Sequence, residues 1–268
     1  MICQRKKKKL IDFIFSKEKI EGGFSFTRST PPTIEDTYFA LRLLKELGEN
    51  YVNKKTQEYI KKININEKTG LKQLYRLVYL YDFYSLYGNK LVVRNYFSSS
   101  VFNYDIDKIS DIYYIVMIKE LLKMGIELNQ KVIGFLTGVT PEKLGYISEC
   151  AQYVITMNKL RLPFVKERFI QWVRDAQNPD GCFGFTLKTT SFLENTYHAL
   201  RALKVLGSKP RNMENCERFI YSCLTKSGGF GRQSNTVPTL EYSYYAIVNL
   251  KILDEMKKKV YEKYYFLD

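Results

Sequence analysis

Apolar residues recur at helical spacing along most of this chain. From Thr33 onward, Ile34, Thr37, Tyr38, Leu41, Leu44 and Leu47 keep to one side of a helix, and Gly48 ends it. The same pattern returns over about Phe192–Leu206, ending at Gly207, and over Leu240–Leu253. A glycine-aromatic turn precedes each of these long helices, and a shorter amphipathic stretch precedes each turn. Gly22-Gly23-Phe24 leads to Glu35-Asp36-Thr37-Tyr38, Gly181-Cys182-Phe183 to Glu194-Asn195-Thr196-Tyr197, and Gly228-Gly229-Phe230 to Glu241-Tyr242-Ser243-Tyr244. In all three copies the Phe and the Glu stand eleven residues apart, and the Glu and the next Ala five. Three copies with one internal spacing make a repeat.

Between the first copy and the last two the turn is lost, but the alternation of shorter and longer helices persists. The pattern predicts helices over Lys54–Ile63 and Leu71–Leu86, then Lys90–Ser98 and Ile109–Met124, then Gln130–Leu136 and Leu144–Leu160. Phe164–Ala176 and Met213–Leu224 read as the short helices of the fifth and sixth units. An open solenoid needs polar capping repeats at its ends. Here the best-formed copies lie at the two ends, which predicts that the ends meet. The expected fold is therefore all-α: an α/α toroid of about six helical hairpins, with long inner and shorter outer helices, in one domain spanning 1–268. The aromatic tail Val260–Leu267 is expected to pack back on the ring.

Composition narrows the function classes. The chain has 268 residues, 45% of them hydrophobic and 15% aromatic, which is enough for a large core. No apolar run is long enough for a membrane span, and Leu10–Phe15 is too short for a signal segment. Five cysteines without a CxxC pair read as reduced thiols, so the expectation is a cytoplasmic protein. The net charge of +14 goes with lysines spread along the chain, mostly on expected solvent faces of helices, which reads as a solvated surface or as a basic face for an acidic partner or anionic lipid. With no zinc finger or helix-turn-helix pattern, it carries no nucleic-acid reading.

Helical placement divides the inner helices into two faces. Leu41, Leu44, Thr37 and Ile34, with their counterparts in the other copies, are expected to pack on the outer helices. The opposite face carries Asp36 and Phe39 in the first copy, Asn195 and His198 in the second, and Tyr242 and Tyr245 in the third, as expected cavity lining. Tyr38, Tyr197 and Tyr244 fall at the boundary and read as packing residues. Glu35, Glu194 and Glu241 sit in first helical turns, where a carboxylate caps free N–H groups and opposes the helix dipole. His198, Glu194 and Glu241 are the candidate catalytic groups.

QxxxGxF at Gln177–Phe183, the GGF turns and the E-x-[TS]-Y-x-A-[LI] helices resemble the prenyltransferase and squalene-cyclase repeat. The closest resemblance is to protein prenyltransferase β subunits. It implies a ring of inner helices around an isoprenoid-binding cavity, and a helical α-type subunit as partner. It also implies a basic pair in the loop ahead of an inner helix that grips the diphosphate; here Arg28, Lys188 and Arg232 stand close to that place, and Mg2+ is the ion expected with a diphosphate substrate. The zinc ligands of those enzymes, Asp-x-Cys-Tyr and a His, are not matched: Thr239, Glu241 and Tyr242 stand there in the sixth copy, and Phe192 and Glu194 in the fifth. The cyclase acid motif is not matched either, Asp105-Ile106-Asp107 being the nearest string.

Three readings follow. The first is an isoprenoid-binding toroid of the protein prenyltransferase β-subunit kind, with prenyl transfer as its reaction if it is an enzyme. The second is a non-catalytic lipid-binding or scaffolding toroid. The third is a carbohydrate-active barrel using the mouth carboxylates.

Overall fold

The computed structural model describes residues 2–27, 29–66, 69–99 and 108–265, with backbone alone at 99 and 259–265. Two positions read from the sequence, Arg28 and the Asp105-Ile106-Asp107 string, lie outside the described residues. Among the described residues, six helices alternate with six others. The outer set is α1 (Gln4–Phe15), α3 (Lys54–Lys61), α5 (Tyr87–Ser99), α7 (Gln130–Thr137), α9 (Lys166–Asp175) and α11 (Met213–Ser222), all shorter than the inner helices save α1 and α5, which match most of them within a residue or so. The inner set is α2 (Ile34–Glu46), α4 (Leu71–Phe83), α6 (Ile109–Leu121), α8 (Ile147–Leu160), α10 (Leu193–Val205) and α12 (Leu240–Tyr265). Each inner helix packs on the next, from α2 through α4, α6, α8 and α10 to α12, and α12 packs on α2. The ring is closed. Among the described residues the only sheet is a two-residue antiparallel pair, Phe230–Gly231 with Pro238–Thr239, inside the last turn.

The glycine-aromatic turns tie one hairpin to the next. The turn at Gly22 lies against Lys55 and Thr56 of α3, the turn at Gly181 against Asn215 and Cys216 of α11, and the turn at Gly228 against Lys9 of α1. The last turn therefore docks on the first helix, so the repeat unit itself closes the circle. Each turn's Phe, buried at 0%, plugs the junction (Phe24, Phe183, Phe230). Its backbone N–H donates to the buried Ser/Thr hydroxyl of the repeat: Phe24 to Thr37 at 3.0 Å, Phe183 to Thr196 at 3.2 Å, Phe230 to Ser243 at 2.9 Å. A buried N–H must find a partner, which explains why the fourth helical residue of each copy is Thr or Ser. Gln177 of the QxxxGxF string clamps its turn to the start of α11. Its amide donates to the carbonyls of Gly181 and Asn212, and its oxygen accepts from the N–H groups of Arg211 and Asn212.

The expected boundaries shift by a few residues, with one larger change. Repeats one and five end at Gly48 and Gly207, both in the left-handed region with φ of +74° and +67°. The sixth has Asp254 in that place, no glycine stops it, and α12 runs on to Tyr265. The stretch expected to fold back as a tail is thus, up to 265, a continuation of that helix, and 266–268 lie outside the described residues. Pro141 opens a short 3-10 turn, Pro141–Lys143, and α8 begins only at Ile147.

Candidate functional site in the lumen

The inner helices turn tyrosines, arginines and one histidine toward the axis of the ring. In three copies the same two adjacent positions and the residue one turn later face inward: Tyr38, Phe39 and Arg42; Tyr197, His198 and Arg201; Tyr244, Tyr245 and Val248. The boundary tyrosines expected to pack therefore form the wall, and the inward face is rotated by about one residue from the expected one. An aromatic belt runs round the ring from Tyr197 against Tyr245 (centroids 4.6 Å apart), through Phe39 and Tyr38, to Tyr75 and Tyr114.

The lumen has two chambers. The one toward the N-terminal ends of the inner helices has a volume of about 60 Å³. That is space for on the order of five waters. Lys72, Arg76, Gln152 and His198 share its wall with the aromatic belt. The other, toward the C-terminal ends, has a volume of about 450 Å³ and is lined by Ile155, Val205, Val248 and Ile252 together with a charged rim. Arg42, Arg201, Tyr197 and Tyr244 border both chambers and form the waist between them. The rim is laced by ion pairs between inner helices: Lys159 of α8 with Glu120 of α6, Lys204 of α10 with Glu255 of α12, and Lys251 of α12 with Glu46 of α2. Each is exposed and contributes at most about 1 kcal/mol.

The residues named from sequence fall in different places. Phe39, His198 and Tyr245 border the lumen. Asp36 does not: its carboxylate accepts from the Phe26 N–H at 3.1 Å and the Thr33 hydroxyl at 2.8 Å, and so braces the first turn. Asn195 is 2% exposed and packed within the helix layer, because the one-residue rotation takes its position off the axis. Tyr242 stands half-buried at the N-terminal mouth, near Glu194, Arg232 and Glu241. Lys188 occupies an exposed left-handed turn position (φ 60°). Arg232 is committed to Glu194, with Nε 2.7 Å from its carboxylate, and lies over the Phe192 ring at 3.8 Å. Lys188 and Arg232 thus have separate surroundings, and Arg28 lies outside the described residues.

The carboxylates of the mouth are also engaged. Glu35 pairs with Arg76, Glu194 with Arg232, and Glu241 accepts the Tyr245 hydroxyl at 2.8 Å. Burial pushes the Glu241 carboxyl up, and the nearby Glu35 adds to that. Each of these three carboxylates has a partner.

Burial, with Arg201 and Lys72 nearby, holds His198 down to about 3, so the imidazole is neutral at ordinary pH. It is the only histidine of the chain. Its signal in a pH titration is expected to stay flat between pH 5 and 8, checked by NMR of histidine-labelled protein; a midpoint near 6.5 would contradict this placement. Because the folded value lies below the unfolded one, the unfolded chain binds the extra proton between pH 3 and 6.5. Stability is therefore full above about pH 6.5 and falls as pH drops. Allowing for the wet lumen, the loss at pH 4 is about 2 kcal/mol.

The family model for the prenyltransferase alpha-alpha toroid domain matches residues 1–75 and 188–266, more than half of the chain. This chain belongs to that family. The unmatched stretch, 76–187, contains the middle hairpins without the glycine-aromatic turn and extends through the fifth turn. Among solved structures, the chain is similar to Candida albicans protein geranylgeranyltransferase-I complexed with GGPP, at 14% identity and a TM-score of 0.41, over 94% of this chain and 92% of that one. No curated protein matches the chain.

The donor set does not fit a zinc-thiolate centre. Among the described residues no group of three or more His, Cys, Asp or Glu could hold a metal ion. The nearest thing to a thiol cluster, Cys182 with Cys216 at 3.3 Å, is buried under the fifth turn, and burial pushes Cys182 well up, away from the thiolate form. No described helix is long and apolar enough to cross a membrane.

The two guanidiniums of the waist escaped the sequence reading. The signal was there: Ala40-Leu41-Arg42 repeats as Ala199-Leu200-Arg201, with each arginine four residues after the repeat tyrosine.

Proposed function

We propose that this toroid takes an isoprenoid chain, carried as its diphosphate, in the chamber at the C-terminal ends of the inner helices, and does so without a zinc-thiolate centre. The observation that carries this reading is the chamber itself. At about 450 Å³, with Ile155, Val205, Val248, Ile252 and two tyrosine rings in its wall, it falls in the roughly 300–1,000 Å³ range of small-molecule pockets. The chamber beyond the waist, at about 60 Å³, is far below that range. Family membership supports the ligand class. It also suggests a helical α-type subunit as partner.

The small inner chamber favours a second reading, a binding or scaffolding toroid without chemistry. The engaged state of Glu35, Glu194 and Glu241 gives no support to the carbohydrate reading.

The test is an equilibrium titration with fluorescent farnesyl or geranylgeranyl diphosphate beside the matching alcohols, with and without Mg2+. Saturable binding of both, tighter for the diphosphate and weakened at least tenfold by Val248→Trp, is the expected result. Failure of either chain to bind would overturn the reading.

A further inference from the structure

The waist of the lumen holds two arginines that have no acid. Arg42 comes from α2 and Arg201 from α10, and both lie deep in the ring while keeping a face on the lumen. Among the described residues neither is in an ion pair. The lysines of the rim below them are: Lys204 is paired with Glu255 and Lys251 with Glu46, so the nearby carboxylates are already taken. Arg76 above them is paired with Glu35.

What holds the two guanidiniums is aromatic. Arg42 stands 4.6 Å from the Tyr244 ring centroid and 5.2 Å from that of Tyr79, and donates to the Tyr38 hydroxyl at 2.6 Å. Arg201 stands 5.0 Å from the Tyr197 centroid and donates to the Tyr113 hydroxyl at 3.4 Å. Ring faces stabilise a guanidinium only in part, and each guanidinium has five N–H donors, most of them still available to the lumen. Two like charges at this depth need a counter-charge.

We propose that Arg42 and Arg201, with Tyr197 and Tyr244, form an anion site at the waist of the toroid, fitted to a phosphate or diphosphate group. Planar guanidinium forks from the two helices that flank α12 match the oxygens of such a group, and tyrosine hydroxyls can donate to the rest. The state of Tyr197 agrees with a positive potential there. Burial alone would push its phenol up, yet Arg201 and Arg42 together hold it below the ordinary tyrosine value. The site opens to both chambers, so it can take the headgroup of a ligand whose chain fills the larger one, or a free polyphosphate. It depends on no prenyl chain and stands apart from the isoprenoid reading.

The experiment is calorimetric titration of the full chain at low salt with inorganic pyrophosphate and, separately, geranyl diphosphate. The wild type is compared with Arg42→Gln, Arg201→Gln and the exposed mouth variant Lys188→Ala. Saturable binding of about one pyrophosphate per chain, weakened at least tenfold by each arginine change and unaffected at Lys188, is expected. Should an arginine variant fail to fold, the His198 NMR signal of the wild type, on the same lumen wall, must shift as pyrophosphate saturates. No pyrophosphate binding, binding lost only in Lys188→Ala, or an unmoved His198 signal at saturation would each overturn the proposal. Geranyl diphosphate binding no tighter than pyrophosphate would support the anion site and count against the isoprenoid reading. Farnesol bound as well as its diphosphate, with pyrophosphate unbound, would do the reverse.

Discussion

Replacing Gly228 by alanine is expected to lower the melting temperature by about 10 °C, while the same change at Gly48 costs only a few degrees. Both glycines lie in the left-handed region, with φ of +95° and +74°, so both substitutions carry the backbone penalty of roughly 1 kcal/mol. They differ in what surrounds them. A Cβ on Gly228 would collide with the Lys9 carbonyl of α1 and come within 2.6 Å of its carbon, whereas nothing lies within 4 Å of a Cβ on Gly48. The obstacle at Gly228 is backbone, so relief requires moving the sixth turn off α1, the contact that closes the ring. The expected cost is about 3 kcal/mol or more, and at roughly 2–4 °C per kcal/mol for a chain of this size it is read directly from thermal melts. Equal melting points for the two variants would mean that the last turn does not dock on the first helix.

Phe183→Ala is expected to cost about 3–5 kcal/mol, the range for emptying a fully buried aromatic site. Phe183 is 0% exposed and fills the space between the fifth turn, α10 and α11, and its own N–H is tied to Thr196. Deleting the ring leaves a cavity between elements that are held apart by backbone contacts at Gly181, so the site cannot collapse. Phe185, two residues on and 40% exposed, is the matched control, with an expected cost below 1 kcal/mol. Denaturant unfolding of the two variants separates them. A small loss at Phe183 would remove the plug role assigned to the repeat aromatic.

Why the ring was legible in the sequence and the site was not comes down to two physical differences. A turn that must let backbone approach backbone needs glycine, and a buried turn N–H needs a hydroxyl thirteen residues on. Gly, Phe and Thr or Ser therefore recur at fixed spacing. Helix orientation is less constrained by sequence. The inner helices are covered by neighbours on several sides, so Asn195, expected to line the cavity, is 2% exposed within the helix layer, and the repeat tyrosines turn inward. Nothing in the sequence marks Arg42 and Arg201 as buried, because a charge on a helix usually faces solvent. Here the water they face is the lumen, and that can be known only once the ring is closed. The unstopped end of α12 follows from one residue, Asp254 in place of glycine.

The central claim is that the lumen is a binding site, and the single histidine makes it directly testable. With histidine-labelled protein, the one imidazole signal reports from the lumen wall. Titration with geranyl diphosphate is predicted to shift that signal progressively to a plateau, with the same affinity that calorimetry reads. A signal that stays fixed while calorimetry shows saturable binding would place the ligand outside the ring and contradict the account.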